Sequence, residues 1–231
     1  EFHLVSVEDT EEERFDRVQA EARFAARRIR ALLDEGFPVQ GEDGQTRPVT
    51  PEDIDAVLSH FTPGDYLLMQ NELSNFTYLL RAAVGRGLRV VLNASPISGE
   101  VLAADLTGVD WLVVNEIECA AIAGCSTPEE GYAALRARYP GLGILLALGS
   151  EGSVSWKDGV EIRQCAYPVQ AVDTTGAGDT FMGYFVGCLA QGMERKDAMQ
   201  YAAMAASIAV TRPGAAPSIP MMAEVRAAVE A

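Results

Sequence analysis

From Asp65 to Gly149 the chain alternates short unbroken apolar runs with stretches whose apolar residues return at helical spacing. The runs DYLLM (65–69), LRVVLN (88–93), VDWLVVN (109–115) and GILLALG (143–149) lack polar alternation, as expected of strands covered on both faces. Helices are predicted between them over 74–85, 116–123 and 128–138, the last opened by Ser126-Thr127-Pro128-Glu129. Thr50-Pro51-Glu52-Asp53 opens another, with a capping hydroxyl, proline at the first helical position and acids in the first turn. Strands alternating with helices predict an α/β fold, a doubly wound and mostly parallel sheet flanked by helices. Residues 152–167 read instead as a hairpin around Asp158-Gly159, followed by helices to about residue 190, near 195–211 and from about 220.

The front of the chain follows a different pattern. Thr10 and Glu13 form a capping box, and Phe15, Val18, Ala22, Ala25, Ile29 and Leu32 make a stripe that predicts a helix over 10–35 ending at Gly36. The stripe is expected to pack on its own domain rather than on a partner helix. Residues 37–49 are polar and loop-like. The expected organisation is therefore a helical and loop segment over 1–61 and an α/β domain over 62–231.

Composition narrows the classes. The 231 residues are 48% apolar, with a mean hydropathy of +0.06, enough for one sizeable core. A net charge of -15, from 33 acidic and 18 basic residues, argues against nucleic acid and anionic membranes as partners. No apolar run reaches the roughly 18 residues of a membrane span, and no signal peptide opens the chain, so a cytoplasmic protein is expected. The four cysteines show no metal or redox spacing and read as core residues. Two histidines, His3 and His60, give a histidine triad or zinc site little to work with.

Ligands of such sheets bind at the carboxyl ends of the strands. Polar or glycine residues fall there four times: Asn71 and Glu72, then Asn93, then Asn115 and Glu118, then Gly149. The stretch AVDTTGAGDTFMG (171–183) adds a glycine turn before an apolar helix, which is an anion cradle made of backbone amides and a helix dipole. Asp179 beside it makes sense if the anion is transferred, because phosphoryl transfer needs both a cradle for the migrating group and a base for the attacking hydroxyl. The only lysines are Lys157 and Lys196, neither placed as in a Walker loop, which excludes a P-loop enzyme.

These residues carry a family resemblance. DTTGAGDTFMGYF resembles the C-terminal signature of the ribokinase, or PfkB, family of carbohydrate kinases. VVNEIE resembles its Asn-x-x-Glu element, LALGSEG its nucleotide-site turn, VVLNASP a strand-end segment and VTRPGAAPSIP the ribokinase tail, in family order over about 62–231. The resemblance implies a ribokinase-like fold and ATP-dependent phosphorylation of a sugar's primary hydroxyl, with ribose favoured. It assigns Asp179 as base and acceptor contact, Gly176, Ala177 and Gly178 as the phosphoryl cradle, and Glu72 as a sugar contact. Asn115 and Glu118 would organise Mg2+ and nucleotide, Gly149 and Gly152 would let backbone approach ATP, and Ala203 to Ser207 would lie beside adenine. Asp173, Thr175, Gly214 and Ser218 match a K+ site.

Ala147 and Ala203 depart from the family, standing where a threonine and a polar residue are usual. More importantly, residues 1–61 show none of the family's N-terminal sugar-binding segment or lid, which reads as missing or shortened. The loss of those contacts leaves open a catalytically weak homologue that binds nucleotide or a partner. It also leaves open a kinase for a nucleoside or other small alcohol, and a homodimer.

Overall fold

The computed structural model describes residues 39–40, 46–71 and 73–230, so the helix expected over 10–35 and the candidate Glu72 lie outside the described residues. The chain forms two compact units. Described residues of the first are 39–40, 46–54 and 73–75. Here β1 (Val39–Gln40) pairs antiparallel with β2 (Thr46–Arg47), where the sequence predicts only loop. Strands of two residues inside a polar stretch carry no alternation long enough to read. Helix α1 (Pro51–Leu58) starts as predicted, its cap reciprocal: the Thr50 amide donates to Asp53 Oδ2 at 2.8 Å and the Asp53 amide to Thr50 Oγ1 at 3.3 Å.

The second unit is built on six strands in sequence order: β3 (Tyr66–Gln70), β4 (Arg89–Asn93), β5 (Trp111–Asn115), β6 (Gly143–Ala147), β7 (Ser153–Lys157) and β8 (Val160–Gln164). The first four are parallel and the last two form the expected antiparallel hairpin. Its turn, Asp158-Gly159, has φ of 52° and 78°, the positive pair that fits a two-residue hairpin to the strand twist. The crossovers hold α2 (Phe76–Gly85), α3 (Gly99–Leu102), α4 (Glu116–Ala123) and α5 (Pro128–Arg138). The α3 turn, capped by Ser98, was not predicted; four residues are too few to show a period. After β8 come α6 (Ala177–Ala190), α7 (Arg195–Ala209) and α8 (Met222–Glu230).

Strand alternation divides the core. Val91, Trp111, Val113 and Leu145 share one face and pack with Met182, Phe185 and Val186 of α6 and Ala198, Met199 and Ala202 of α7. Val90, Leu92, Leu112, Val114, Ile144 and Leu146 point the other way and are equally buried. Helices α2 and α4 contact β4 and β5, and right-handed crossovers place them on that second face. Both faces of β4, β5 and β6 are thus covered, as their unbroken apolar runs require. The first run differs: among the described residues β3 is an edge strand, and its Leu68 is 41% exposed. An edge strand has a neighbour on one side only, which the run of apolar letters does not reveal.

The cysteines also differ from expectation, since only Cys119 and Cys188 are buried whereas Cys125 is half-buried and Cys165 exposed. Burial pushes the Cys119 thiol up to about 11. With a disulfide reagent near neutral pH, Cys165 is expected to react first and Cys119 only on unfolding. Mass mapping of the labelled peptides checks this order.

Candidate functional site

Four parallel strands end along the same edge of the sheet, β5 and β6 running two residues past β3 and β4, and their last residues, Gln70, Asn93, Asn115 and Ala147, all line a cleft of about 400 Å3. The register makes Gln70 and Asn93 neighbours, and likewise Asn115 and Ala147. The opposite wall is the start of α6, from Thr174 and Gly176 to Asp179, with Glu118 between. Of the described strand-end residues singled out in the sequence, Asn93, Asn115 and Glu118 line the cleft, whereas Asn71 and Gly149 do not.

The glycine turn is shaped as the sequence suggests. Gly176, the cap residue of α6, takes φ 73° and ψ 8°, a left-handed conformation that suits glycine. The amide of Ala177 donates to Thr174 O at 3.2 Å, whereas the amides of Gly176, Gly178 and Asp179 have no acceptor among the described residues. These three donors and the positive end of a 14-residue helix face the cleft, ready for an anion. Asp179 is exposed, and its Oδ1 accepts a hydrogen bond from Gln70 Nε2 at 3.0 Å.

Asn115 and Glu118 form a reciprocal cap at the start of α4: the Asn115 amide donates to Glu118 Oε2 and the Glu118 amide to Asn115 Oδ1, both at 2.9 Å. Glu118 is 7% exposed, and its Oε1 has no hydrogen-bond donor among the described residues. The cap fixes the side chain and leaves one oxygen for the cleft. Among its described lining residues the cleft has no lysine, arginine or histidine, so a polyanion there must rely on amides, the helix dipole and an accompanying cation.

Behind the turn, Asp173 Oδ1 accepts from the Thr175 amide at 2.9 Å and Oδ2 from the Gly214 amide at 2.8 Å. Bonds from Thr175, then from Gly214, hold the Asp173 carboxyl below the usual carboxylate range. Three of the four cation-site candidates are therefore joined. Ser218, 1% exposed, donates from Oγ to Ala215 O at 2.7 Å.

Four of the six nucleotide candidates, Gly149, Gly152, Ala203 and Ser207, do not line this cleft. Gly149 and Gly152 flank a 3-10 turn between β6 and β7, and Ala203 and Ser207 are buried in α7, Ser207 bonded to Met204 O. A Cβ on Gly152, whose φ is 105°, would lie 2.1 Å from Gln164 O. Gly152→Ala is expected to destabilise the fold by at least about 1–3 kcal/mol, from backbone strain alone. A urea unfolding midpoint equal to wild type would contradict that.

Comparison with known proteins decides the family. The profile of pfkB family carbohydrate kinases matches residues 43–222. The chain belongs to this family. It is 35% identical to a ribokinase of Haemophilus influenzae over 167 residues, covering 69% of this chain and 54% of that one. A deoxyribokinase of Salmonella typhi is 29% identical over 185 residues, covering 77% and 60%. Among solved structures, the Arabidopsis thaliana ribokinase complexed with ribose and ATP aligns with a TM-score of 0.66 at 27% identity, over 84% of this chain and 68% of that one. The chain thus spans 54% and 60% of the length of these two curated relatives.

The pfkB match begins at residue 43, inside a segment whose sequence shows no family feature. Strand β2 and helix α1, which lie inside the matched range, carry no signature residues. Gln70 was likewise missed as a site residue. Its one available signal was its place beside Asn71 and Glu72 at a strand end, which says nothing of a bond to a residue 109 positions away.

Proposed function

We propose that this pfkB-family chain carries the phosphoryl-transfer site of an ATP-dependent sugar kinase, acting on the primary hydroxyl of ribose or a close relative. The observation that carries this reading is the convergence of an aspartate and three acceptor-free helix-start amides in one cleft. Asp179 takes the proton of the attacking hydroxyl, and the amides of Gly176, Gly178 and Asp179 hold the migrating phosphoryl group as its charge develops. Ala177 contributes by turning the backbone, since its own amide is engaged within the turn.

The cleft's lack of basic side chains fits a Mg2+ delivered with ATP. Among the described residues no three His, Cys, Asp or Glu gather into a metal site, so Asn115 and the free oxygen of Glu118 would supply one or two ligands, phosphates and water the rest. When bound, the ion neutralises charge between the phosphates. The Asp173, Thr175, Gly214 and Ser218 group offers hard oxygens for K+ behind the turn, and Gly149, Gly152, Ala203 and Ser207 frame the ATP side. Ribose is favoured by the relatives' names and by the tail TRPGAAPSIP; a deoxyribokinase among them keeps deoxyribose in view.

The test is a panel of ribose, deoxyribose, a nucleoside and a simple primary alcohol with ATP, Mg2+ and K+, read as ADP formation by the intact protein. The reading predicts a kcat/KM for a pentose well above the other acceptors. No acceptor-dependent ADP, with ATP still bound, would favour a nucleotide-binding homologue without turnover.

A further inference from the structure

We infer that Gln70 is a positioning residue that holds Asp179 toward the cleft and keeps it from capping its own helix; this rests on the kinase reading above. Asp179 is the third residue of α6. At that position in α1 and α4, Asp53 and Glu118 fold back and accept from the cap residue's amide. Glu130 and Asp197, at the same place in α5 and α7, do not; the fold-back is an option of the chain rather than a necessity.

For Asp179 the option is open. Its cap residue is Gly176, which has no side chain to compete, and the Gly176 amide has no acceptor among the described residues. Folding back would damage the site twice: the carboxylate would leave the position that meets a hydroxyl, and one cradle amide would be occupied. What opposes it is a single bond, from Gln70 Nε2 to Asp179 Oδ1 at 3.0 Å, the one hydrogen bond to this carboxylate among the described residues. Gln70 is the terminal residue of β3, half-buried, and paired in register with Asn93, so its backbone is set by the sheet. The bond engages Oδ1 and leaves Oδ2 to receive the proton. A strand end thereby aims a base carried by a helix start.

The experiment compares Gln70→Ala and Gln70→Asn, the second retaining the amide but one carbon short, with wild type. Two readouts are taken: steady-state kinetics of the intact protein, and hydrogen exchange of the Gly176 amide in the nucleotide-free protein. Both variants are expected to lose about 10- to 100-fold in kcat, the scale of a base displaced by a fraction of an ångström to an ångström. KM for ATP should stay unchanged and the loss should fall mainly on kcat, as for a group that acts chiefly in the transition state. Exchange at Gly176 should slow by about tenfold, the worth of one net hydrogen bond.

Unchanged kcat overturns the inference. So does a raised acceptor KM at wild-type kcat, which would make Gln70 a substrate contact, or an unaltered Gly176 amide. If wild type transfers no phosphoryl group the kinase reading falls, and the exchange measurement alone still decides whether Gln70 restrains Asp179.

Discussion

Asp179→Asn is expected to lower turnover of the intact protein by about 10²- to 10⁴-fold, the range of a lost general base, while ATP binding by calorimetry stays close to wild type. The substitution is nearly isosteric, and asparagine Oδ1 can still accept from Gln70 Nε2, so the cleft keeps its shape and loses only the proton acceptor. The amide cradle and helix dipole remain, which is why binding should persist. Binding and turnover falling together would instead point to a general collapse of the turn.

The second large effect concerns the scaffold behind Asp179. Phe185 is fully buried, six residues beyond Asp179 on α6, and meets Trp111 edge to face with ring centroids 5.0 Å apart and an interplanar angle of 89°. Phe185→Ala removes the ring from between helix and sheet and is expected to cost about 3–5 kcal/mol, against a total stability of about 5–15 kcal/mol for a typical domain. Urea unfolding followed by the fluorescence of Trp111 and Trp156 would measure it. Because α6 carries the Asp179 turn, activity should fall at temperatures where the wild type is still folded. A loss under about 1 kcal/mol would show that the cluster around Met182, Phe185 and Met199 repacks.

Much of the second unit was legible because its strands are buried on both faces. That burial writes unbroken apolar runs, and Glu116–Ala123 and Pro128–Arg138 matched their predicted spans because caps and a proline mark their starts. The hairpin at Asp158-Gly159 was legible through turn chemistry. What escaped was of two kinds. Elements of two to four residues, such as β1, β2 and α3, are shorter than any period that could reveal them. Features set by position in the sheet also escaped, as with the exposed Leu68 of the edge strand β3.

The site divides in the same way. The turn at Gly176 and the helix start that carries Asp179 were readable because a glycine turn before an apolar helix is a local pattern. Asn115 and Glu118 stood out as a pair in the sequence, and the structure joins them as a reciprocal helix cap with one carboxylate oxygen left over. Gln70 was not readable, because its role exists only where β3 and α6 meet. A partner separated by 109 residues leaves no pattern in a single sequence.

The most direct test of the central claim is to follow the phosphorus itself. With ATP, Mg2+, K+ and ribose, phosphorus NMR of the intact protein's reaction is predicted to show the γ-phosphate appearing as a sugar phosphomonoester coupled to the protons of a primary carbon, and this signal should grow about 10²- to 10⁴-fold more slowly with Asp179→Asn. ATP converted to free inorganic phosphate at the same rate with and without sugar, or a phosphomonoester formed equally by the Asn variant, would contradict the account.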